Sequence, residues 1–321
     1  MPVVVQTRGA GVEATHPFVA VVVQGGHVAR TFDAPDTRAL RVTTTWRSAS
    51  KPFQLEQALD ALGEMAQGVT AEDLALGAAS HSGEARHVER VLSLLSRFGC
   101  VPGDLRCGAH PPVHSPTAEA LYRGGGEVGA VHNNCSGKHA FMVGACRNQG
   151  WPLEYRPLEH PLQQRNRARL EALCEASGIA AVDGCGVPTW HMPLEGLARA
   201  WSRLAVSMNS PHEPLGRIGR AMAAHPDLTS GTGRLDADVV RGFAGTLAVK
   251  IGAQGVFCIA EPSRGLGVAI KVTSGCGEAL PAAIAHVLDA LMPGTFSPPE
   301  PWGHRQVRNV VGDVVGGFEV A

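Results

Sequence analysis

Apolar β-branched runs stand at the start and again in the last third of this chain, and between them the apolar spacing changes from alternation to helical recurrence. Val3–Val5 and Phe18–Val23, the second followed by Gly25 and Gly26, read as strands ending in turns, and Val28–Phe32 and Leu40–Thr45 as two more. From Lys51 to Met65 the positions Phe53, Leu55, Ala58, Leu59 and Leu62 recur at helical spacing up to Gly63. Thr70, with an acid three residues on at Asp73, marks a helix start running toward Ala79. The same pattern predicts helices over Glu84–Phe98, Lys138–Asn148, Pro161–Ser177, Pro193–Val206 and Pro214–Ala224, the first three closed by glycine. Strands return at Leu247–Ile251, Val256–Ala260 and Gly267–Val272, and one helix follows over Ala279–Leu291. A sheet drawn from both chain ends around inserted helices is an α+β layout. We read one domain over 1–321, with a sheet lobe at about 1–47 plus 246–321 and a helical lobe at about 48–245.

A chain of 321 residues with 44% hydrophobic and 18% charged positions has enough apolar material for a full core. Its net charge of −1 gives no reason to expect nucleic acid or an anionic membrane as partner, so a small-molecule substrate is expected. No signal-length apolar stretch opens the chain and no segment approaches the roughly 18 apolar residues of a membrane span, which leads to a cytoplasmic expectation. In that compartment most of the eight cysteines, none in a C-x-x-C pair, are expected as free thiols, with Cys100 and Cys107, seven apart, as a conceivable redox-sensitive pair.

The cations change the picture. Four lysines stand against 24 arginines, and three of the four, Lys51, Lys138 and Lys250, fall in short segments rich in Ser, Cys, Asn and Gly. A buried ammonium can lose its proton and act as a base or a metal ligand, which arginine cannot do. The fourth, Lys271, sits in an apolar run as the outward residue of a strand.

Ser48 and Lys51 have the spacing S-x-x-K, and Pro52 fixes where they lie, because proline is tolerated only in a helix's first turn. Ser48 is therefore expected beside a helix N-terminus with the Lys51 amine within reach of its hydroxyl, and the free N–H groups there suit an oxyanion. The plain alternative is a capping serine followed by a surface lysine. Ser80 falls in the break between two predicted helices, and Lys250 precedes Gly252 at the end of a predicted strand. Alone, these read equally as a helix cap and a strand-end surface residue. In order, S-x-x-K, a loop serine and a strand K-x-G resemble the serine β-lactamases and penicillin-binding proteins, although the Asn of S-D-N and the Thr of K-T-G are missing here. Cys135 and Lys138 in Asn133–His139, with Cys185 in the Gly-rich loop Asp183–Pro188, offer two sulfurs and an amine to a zinc ion. Buried free cysteines are the alternative.

Taken together these segments resemble the class 3, or rhizobial-type, L-asparaginases of the asparaginase II family. The resemblance rests on W-R-S-A-S-K-P at Trp46–Pro52, A-S-H-S-G-E at Ala79–Glu84, H-N-N-C-S-G-K-H at His132–His139, D-G-C-G-V-P at Asp183–Pro188 and V-K-I-G-A-Q-G-V at Val249–Val256. It implies a serine β-lactamase-like fold, a homodimer, and hydrolysis of L-asparagine to aspartate and ammonia. It also implies two Ser–Lys pairs, Ser48 with Lys51 and Ser80 with Lys250, and a zinc ion held by Cys135, Lys138 and Cys185 near the substrate.

On this reading Ser48 attacks the carboxamide carbon with Lys51 as its base, while Ser80 and Lys250 relay a proton to the departing ammonia. An ordinary lysine, with a pKa of about 10.4, leaves less than roughly 0.1% neutral amine at pH 7, so a shifted ammonium is expected at the site. The zwitterionic substrate needs an acid for its α-ammonium, for which Asp183 is the candidate, and donors for its α-carboxylate, for which Arg47 is. His139 and His81 flank the motifs as candidate donors or as structural histidines. Two other readings remain at this level: a serine-dependent glutaminase or other amidase of this fold, and a catalytically silent relative that binds zinc or an amino acid.

Overall fold

The computed structural model describes residues 1–33, 38–210, 212–296 and 305–321. Its main sheet has eight strands, all pairs antiparallel: β1 (Val3–Arg8), β2 (Gly11–Gln24), β3 (His27–Phe32), then β7 (Ala248–Gly252), β8 (Val256–Glu261), β9 (Leu266–Val272), β10 (Gln306–Arg308) and β11 (Val314–Val320). Their order is β10-β11-β1-β2-β9-β8-β7, with β3 also on β2. Three short strands, β4 (Thr43–Thr45), β5 (Ile179–Val182) and β6 (Pro188–Pro193), form a second sheet in the order β4-β6-β5. The expected sheet from both chain ends, with helices inserted between, is therefore present.

Alternation along the strands decides which side chain meets which layer. In β2, Phe18, Ala20 and Val22 enter one core with the helix Leu280–Leu291, while Val19, Val21 and Val23 enter the other, which the inserted helices share. β7 follows the same rule. Val249 packs into the first core and Ala248 into the second, so Lys250, two residues from Ala248, is directed to the helical side. Gly267 lets the helix Leu194–Ser207 lie directly on β9, since a Cβ there would stand 2.0 Å from Ser202 N and 2.1 Å from Ala198 O.

The predicted helices are all present with ends moved by a few residues, among them Lys51–Leu62, Ala85–Arg97, Ser136–Gln149, Pro161–Cys174 and Pro214–Ala224. Thr70 and Asp73 form the reciprocal cap expected of them, with Thr70 Oγ1 accepting from Asp73 N at 3.2 Å and Asp73 Oδ2 from Thr70 N at 3.1 Å. The strand expected over Leu40–Thr45 is corrected: Arg38–Arg41 is a short helix, and only Thr43–Thr45 pairs, with β6. The sequence reading missed the helices Ser115–Arg123 and Leu235–Gly242 and the strands β5, β6, β10 and β11. No helix among the described residues is long and apolar enough to cross a membrane. All eight cysteines are free.

Candidate active site

Ser48 lies in a single 3₁₀ turn, Arg47–Ser50, that runs straight into the helix Lys51–Leu62 with Pro52 in its first turn. The turn is held from β6: Trp46 N donates to Trp190 O at 2.9 Å and Arg47 N to Thr189 Oγ1 at 3.1 Å. Arg47 has φ of 48°, a left-handed conformation that costs a residue with a Cβ roughly 1–3 kcal/mol and persists only where its surroundings impose it. Trp46 stacks edge-on against Phe53 at 5.5 Å, and Phe53 against Trp201 at 6.1 Å, which anchors the helix start. Ser48 is half-buried, and among the hydrogen bonds of the described residues none engages its hydroxyl.

Lys51 is fully buried, and its ammonium donates to Ala79 O at 2.5 Å and to Ser80 Oγ at 2.9 Å. The lysine of the S-x-x-K motif thus bonds the serine of the second motif. The loop carrying Ser80 is fixed by Ser80 N to Thr229 O at 3.0 Å, His81 N to Asn134 O at 3.0 Å, and Ser82 Oγ to Ser230 O at 3.1 Å. Gly231 makes that last approach possible, because with φ of 137° a Cβ would stand 2.2 Å from Ser82 Oγ. His81 has both ring nitrogens engaged, Nδ1 accepting from Gly83 N at 3.1 Å and Nε2 on Ser136 Oγ at 2.9 Å. Burial, with His87 and Lys51 nearby, holds it well below the ordinary histidine range, so it is a neutral pin between loop and helix.

Lys250 is also fully buried, and its ammonium reaches Asp236 Oδ2 at 3.4 Å and Ile251 O at 3.1 Å. Burial lowers it to about 8; Asp236 opposes the fall, and Lys51 and Arg234 add to it. Its strand reaches the serine turn because Gly252 has no side chain: a Cβ there would stand 3.1 Å from Trp46 O.

A second cluster adjoins the first. Cys185 in the loop after β5 faces Cys135 and Lys138 at the start of the helix Ser136–Gln149, with Lys138 Nζ 3.4 Å from its sulfur. The Cys135 thiol, which reaches Asn134 Oδ1 at 3.3 Å, also lies against Cys185; that contact, with Lys138, brings Cys185 down to about 5 despite burial, and the same contact pushes Cys135 up to about 12. Burial also acts on Lys138, but Cys185, Cys135 and Asp183 outweigh it and raise its pKa. Among the described residues no group of three or more His, Cys, Asp and Glu gathers as a metal site. The set Cys135, Lys138 and Cys185 is of another kind, one thiolate, one thiol and an ammonium converging; with the protons of Cys135 and Lys138 displaced, two sulfurs and an amine suit a borderline-soft ion such as zinc. Cys107 lies close by, pushed up to about 12 by burial and by the two other cysteines, and stays a thiol.

Arg47 Nε donates to Asp183 Oδ1 at 2.5 Å, so the two candidates for the substrate's charged groups are paired with each other. Burial alone would raise the Asp183 carboxyl, but Lys138, the Gly184 N–H and Arg47 hold it below the usual range. His139 Nδ1 is 2.9 Å from Tyr155 Oη, which itself accepts the Arg106 N–H at 2.8 Å. Among the described residues the phenol has no other acceptor for its proton, so the hydroxyl donates to Nδ1 and the ring hydrogen is placed on Nε2, fully buried and without a partner. An unpartnered donor beside Lys51, Lys138 and Asp183 is a place for a ligand oxygen.

All the residues singled out from sequence lie on the segments these contacts join. Asp236, Tyr155 and Arg234 were not anticipated; no motif marks them, and each enters the site only through folding.

A family model described as L-asparaginase II matches residues 4–320. No curated protein matches the chain. Among solved structures, the crystal structure of Mglu in its native form in the presence of 4.3 M NaCl shares 14% identity over 85% of this chain and 61% of its own, with a TM-score of 0.44. A second, the crystal structure of Mglu in its native form, shares 15% over 91% of this chain and 69% of its own, with a TM-score of 0.38. The chain thus spans 61% of the length of the first of these structures.

Proposed function

The chain belongs to the L-asparaginase II family, and on that premise we propose that it hydrolyses the side-chain amide of L-asparagine to L-aspartate and ammonia through an acyl-enzyme on Ser48. The observation that carries this reading is the contact of the buried Lys51 ammonium with Ser80, one turn from a half-exposed Ser48 and close enough to Lys250 for each ammonium to feel the other. Of the two serines Ser48 is the one a substrate can reach, since Ser80 is 5% exposed. We also read the architecture as serine β-lactamase-like, because S-x-x-K opens a helix, a serine follows in a facing loop, and K-x-G ends the sheet's outermost strand.

In the proposed reaction Lys51, as a neutral amine, takes the Ser48 proton while Oγ bonds to the carboxamide carbon. The tetrahedral intermediate collapses as the amide nitrogen receives a proton from Lys250 through Ser80 and leaves as ammonia. Water then attacks the ester carbon and gives a proton to the same relay, while Lys51 returns its proton to Ser48 Oγ as the ester bond breaks and aspartate leaves. Asp183 accepts the α-ammonium through its second oxygen, Arg47 presents its remaining N–H groups to the α-carboxylate, and His139 Nε2 donates to a substrate oxygen. Zinc, when held by Cys135, Lys138 and Cys185, supplies a fixed positive charge that shapes the pocket beside Asp183.

The test is ammonia release from L-asparagine and from L-glutamine, with wild type and Ser48→Ala, together with trapping by an electrophilic asparagine analogue. We expect release from asparagine, a loss of at least about 10³-fold in the variant, and a covalent adduct on Ser48. Turnover retained by Ser48→Ala, or an adduct on Ser80, would reverse the roles of the two serines. Release from glutamine alone would move the substrate by one methylene.

A further inference from the structure

We infer that Asp236 is the positioning residue of Lys250, holding the lysine's amine in place from the open edge of the sheet. Asp236 is the second residue of the helix Leu235–Gly242 and only 2% exposed. β7 is the last strand in its sheet order, so its outward N–H groups have no strand to pair with. One of them, Ile251 N, donates to Asp236 Oδ1 at 2.8 Å, while the other oxygen of the same carboxylate stands 3.4 Å from Lys250 Nζ. A single buried carboxylate therefore contacts the backbone of one residue and the side chain of its neighbour. That fixes the strand end and the amine together. Lys250 closes the arrangement on its own strand through Ile251 O at 3.1 Å.

The titratable groups around Lys250 come from three elements, the helix of Asp236 with Arg234 at its N-terminus, the helix start that carries Lys51, and β8. Among the described residues acting on it, Asp236 is the anion, Lys51 and Arg234 are cations, and Cys258, directly opposite Lys250 on β8, is kept a thiol by burial. Removing the Asp236 charge leaves the lysine among cations only. Its ammonium then gives up a proton more readily and its amine is free to move. A carboxylate that merely filled the core would influence neither property.

The inference rests on the proposed role of Lys250, and its test separates the two. Because the chain has four lysines, ¹⁵N-lysine labelling gives four side-chain signals that single substitutions assign. In Asp236→Asn the Lys250 signal is expected to titrate at least about one pH unit lower than in wild type, and kcat for asparagine to fall about 10- to 100-fold with KM within about twofold. Asp236→Glu keeps the charge and displaces the carboxylate by one methylene; it is expected to lower kcat while leaving the titration close to wild type, and it carries the test if the Asn variant does not fold. An unmoved Lys250 titration in Asp236→Asn, or an unchanged kcat in Asp236→Glu, overturns the inference. If wild type releases no ammonia from asparagine, the function is wrong, and the lysine titration still decides what Asp236 does.

Discussion

The two lysines proposed as base and acid illustrate how far single residues can be read from sequence. Their scarcity and their neighbours mark Lys51 and Lys250 as candidates; both are buried, and burial brings Lys250 down to about 8. Their partners were not legible, because Asp236 stands between glycines and a short apolar run where a buried acid looks like part of a turn. The shift gives a pH expectation with a definite sign. Lys250 is the acid of the proposed reaction, so its protonated form is the active one, and that form is lost as pH rises through about 8. The kcat/KM profile for asparagine should fall above that pH with a slope of one proton, and Asp236→Asn should carry the fall to lower pH. A rate still rising through pH 9, and doing so equally in Asp236→Asn, would mean that protonated Lys250 is not the acid. His139 behaves differently: burial, with Lys138 adding to it, holds it well below the ordinary histidine range, so it donates as a neutral ring across the working range. His139→Phe removes a donor without removing a charge. KM for asparagine should rise by about 10-fold, corresponding to one hydrogen bond of roughly 1.4 kcal/mol, with the pH profile unchanged; initial-rate kinetics at three pH values check both parts.

Among elements, the legible ones are those whose side chains alternate or recur against a core, such as β2, β8, β9 and the helix Leu280–Leu291. The missed ones lack that signature for identifiable reasons. The helix Ser115–Arg123 buries none of its residues and so has no core-facing stripe, and β5 is four exposed apolar residues, Ile-Ala-Ala-Val, too short and without the alternation that marks a strand. β6 begins and ends in proline, which argues against a strand until its place at Trp46 and Thr45 is seen. β11 holds Gly316 where a Cβ would stand 1.9 Å from Thr7 O, so close pairing requires the residue that weakens the strand signal. The helix Ser136–Gln149 is the opposite case. It is buried on nearly all sides, and at Gly137 it touches the helix Ala71–Gly77, where a Cβ would stand 2.3 Å from Leu76 O. Backbone cannot yield as a side-chain tip can, so Gly137→Ala should cost about 3 kcal/mol, the upper part of the range for overpacking, and should displace Lys138 next to it. Gly129→Ala is the control, since its nearest neighbour is 4.0 Å away and its φ of −116° suits any residue. Thermal unfolding of both should show a lowered midpoint in the first alone; equal midpoints would mean that the two helices separate freely.

Across the whole molecule the site is assembled from segments far apart in the chain, each brought in by a different layer. The sheet contributes Lys250, a helix start contributes Ser48 and Lys51, a loop clamped at Thr229 contributes Ser80, and the small sheet aligns the Asp183–Pro188 loop with Arg47. Order along the chain shows such a set in sequence; which side each member faces is settled by strand alternation and by the glycines that let backbones meet. The thiol cluster joins two of these parts, the helix Ser136–Gln149 and the loop holding Cys185, across about 50 residues of chain. An ion bound there in the native state alone would tie them together and stabilise the whole fold. At a zinc concentration 100 times its dissociation constant the gain is about 2.7 kcal/mol, which for a chain of this size raises the unfolding midpoint by about 5 °C. Scanning calorimetry should show that rise with zinc, its reversal by a chelator, and its absence in Cys185→Ser. A rise of equal size in the Cys185→Ser protein would place the ion elsewhere, and Cys135, Lys138 and Cys185 would then serve the pocket through their own charges: a thiolate, an ammonium and a shared proton beside Asp183.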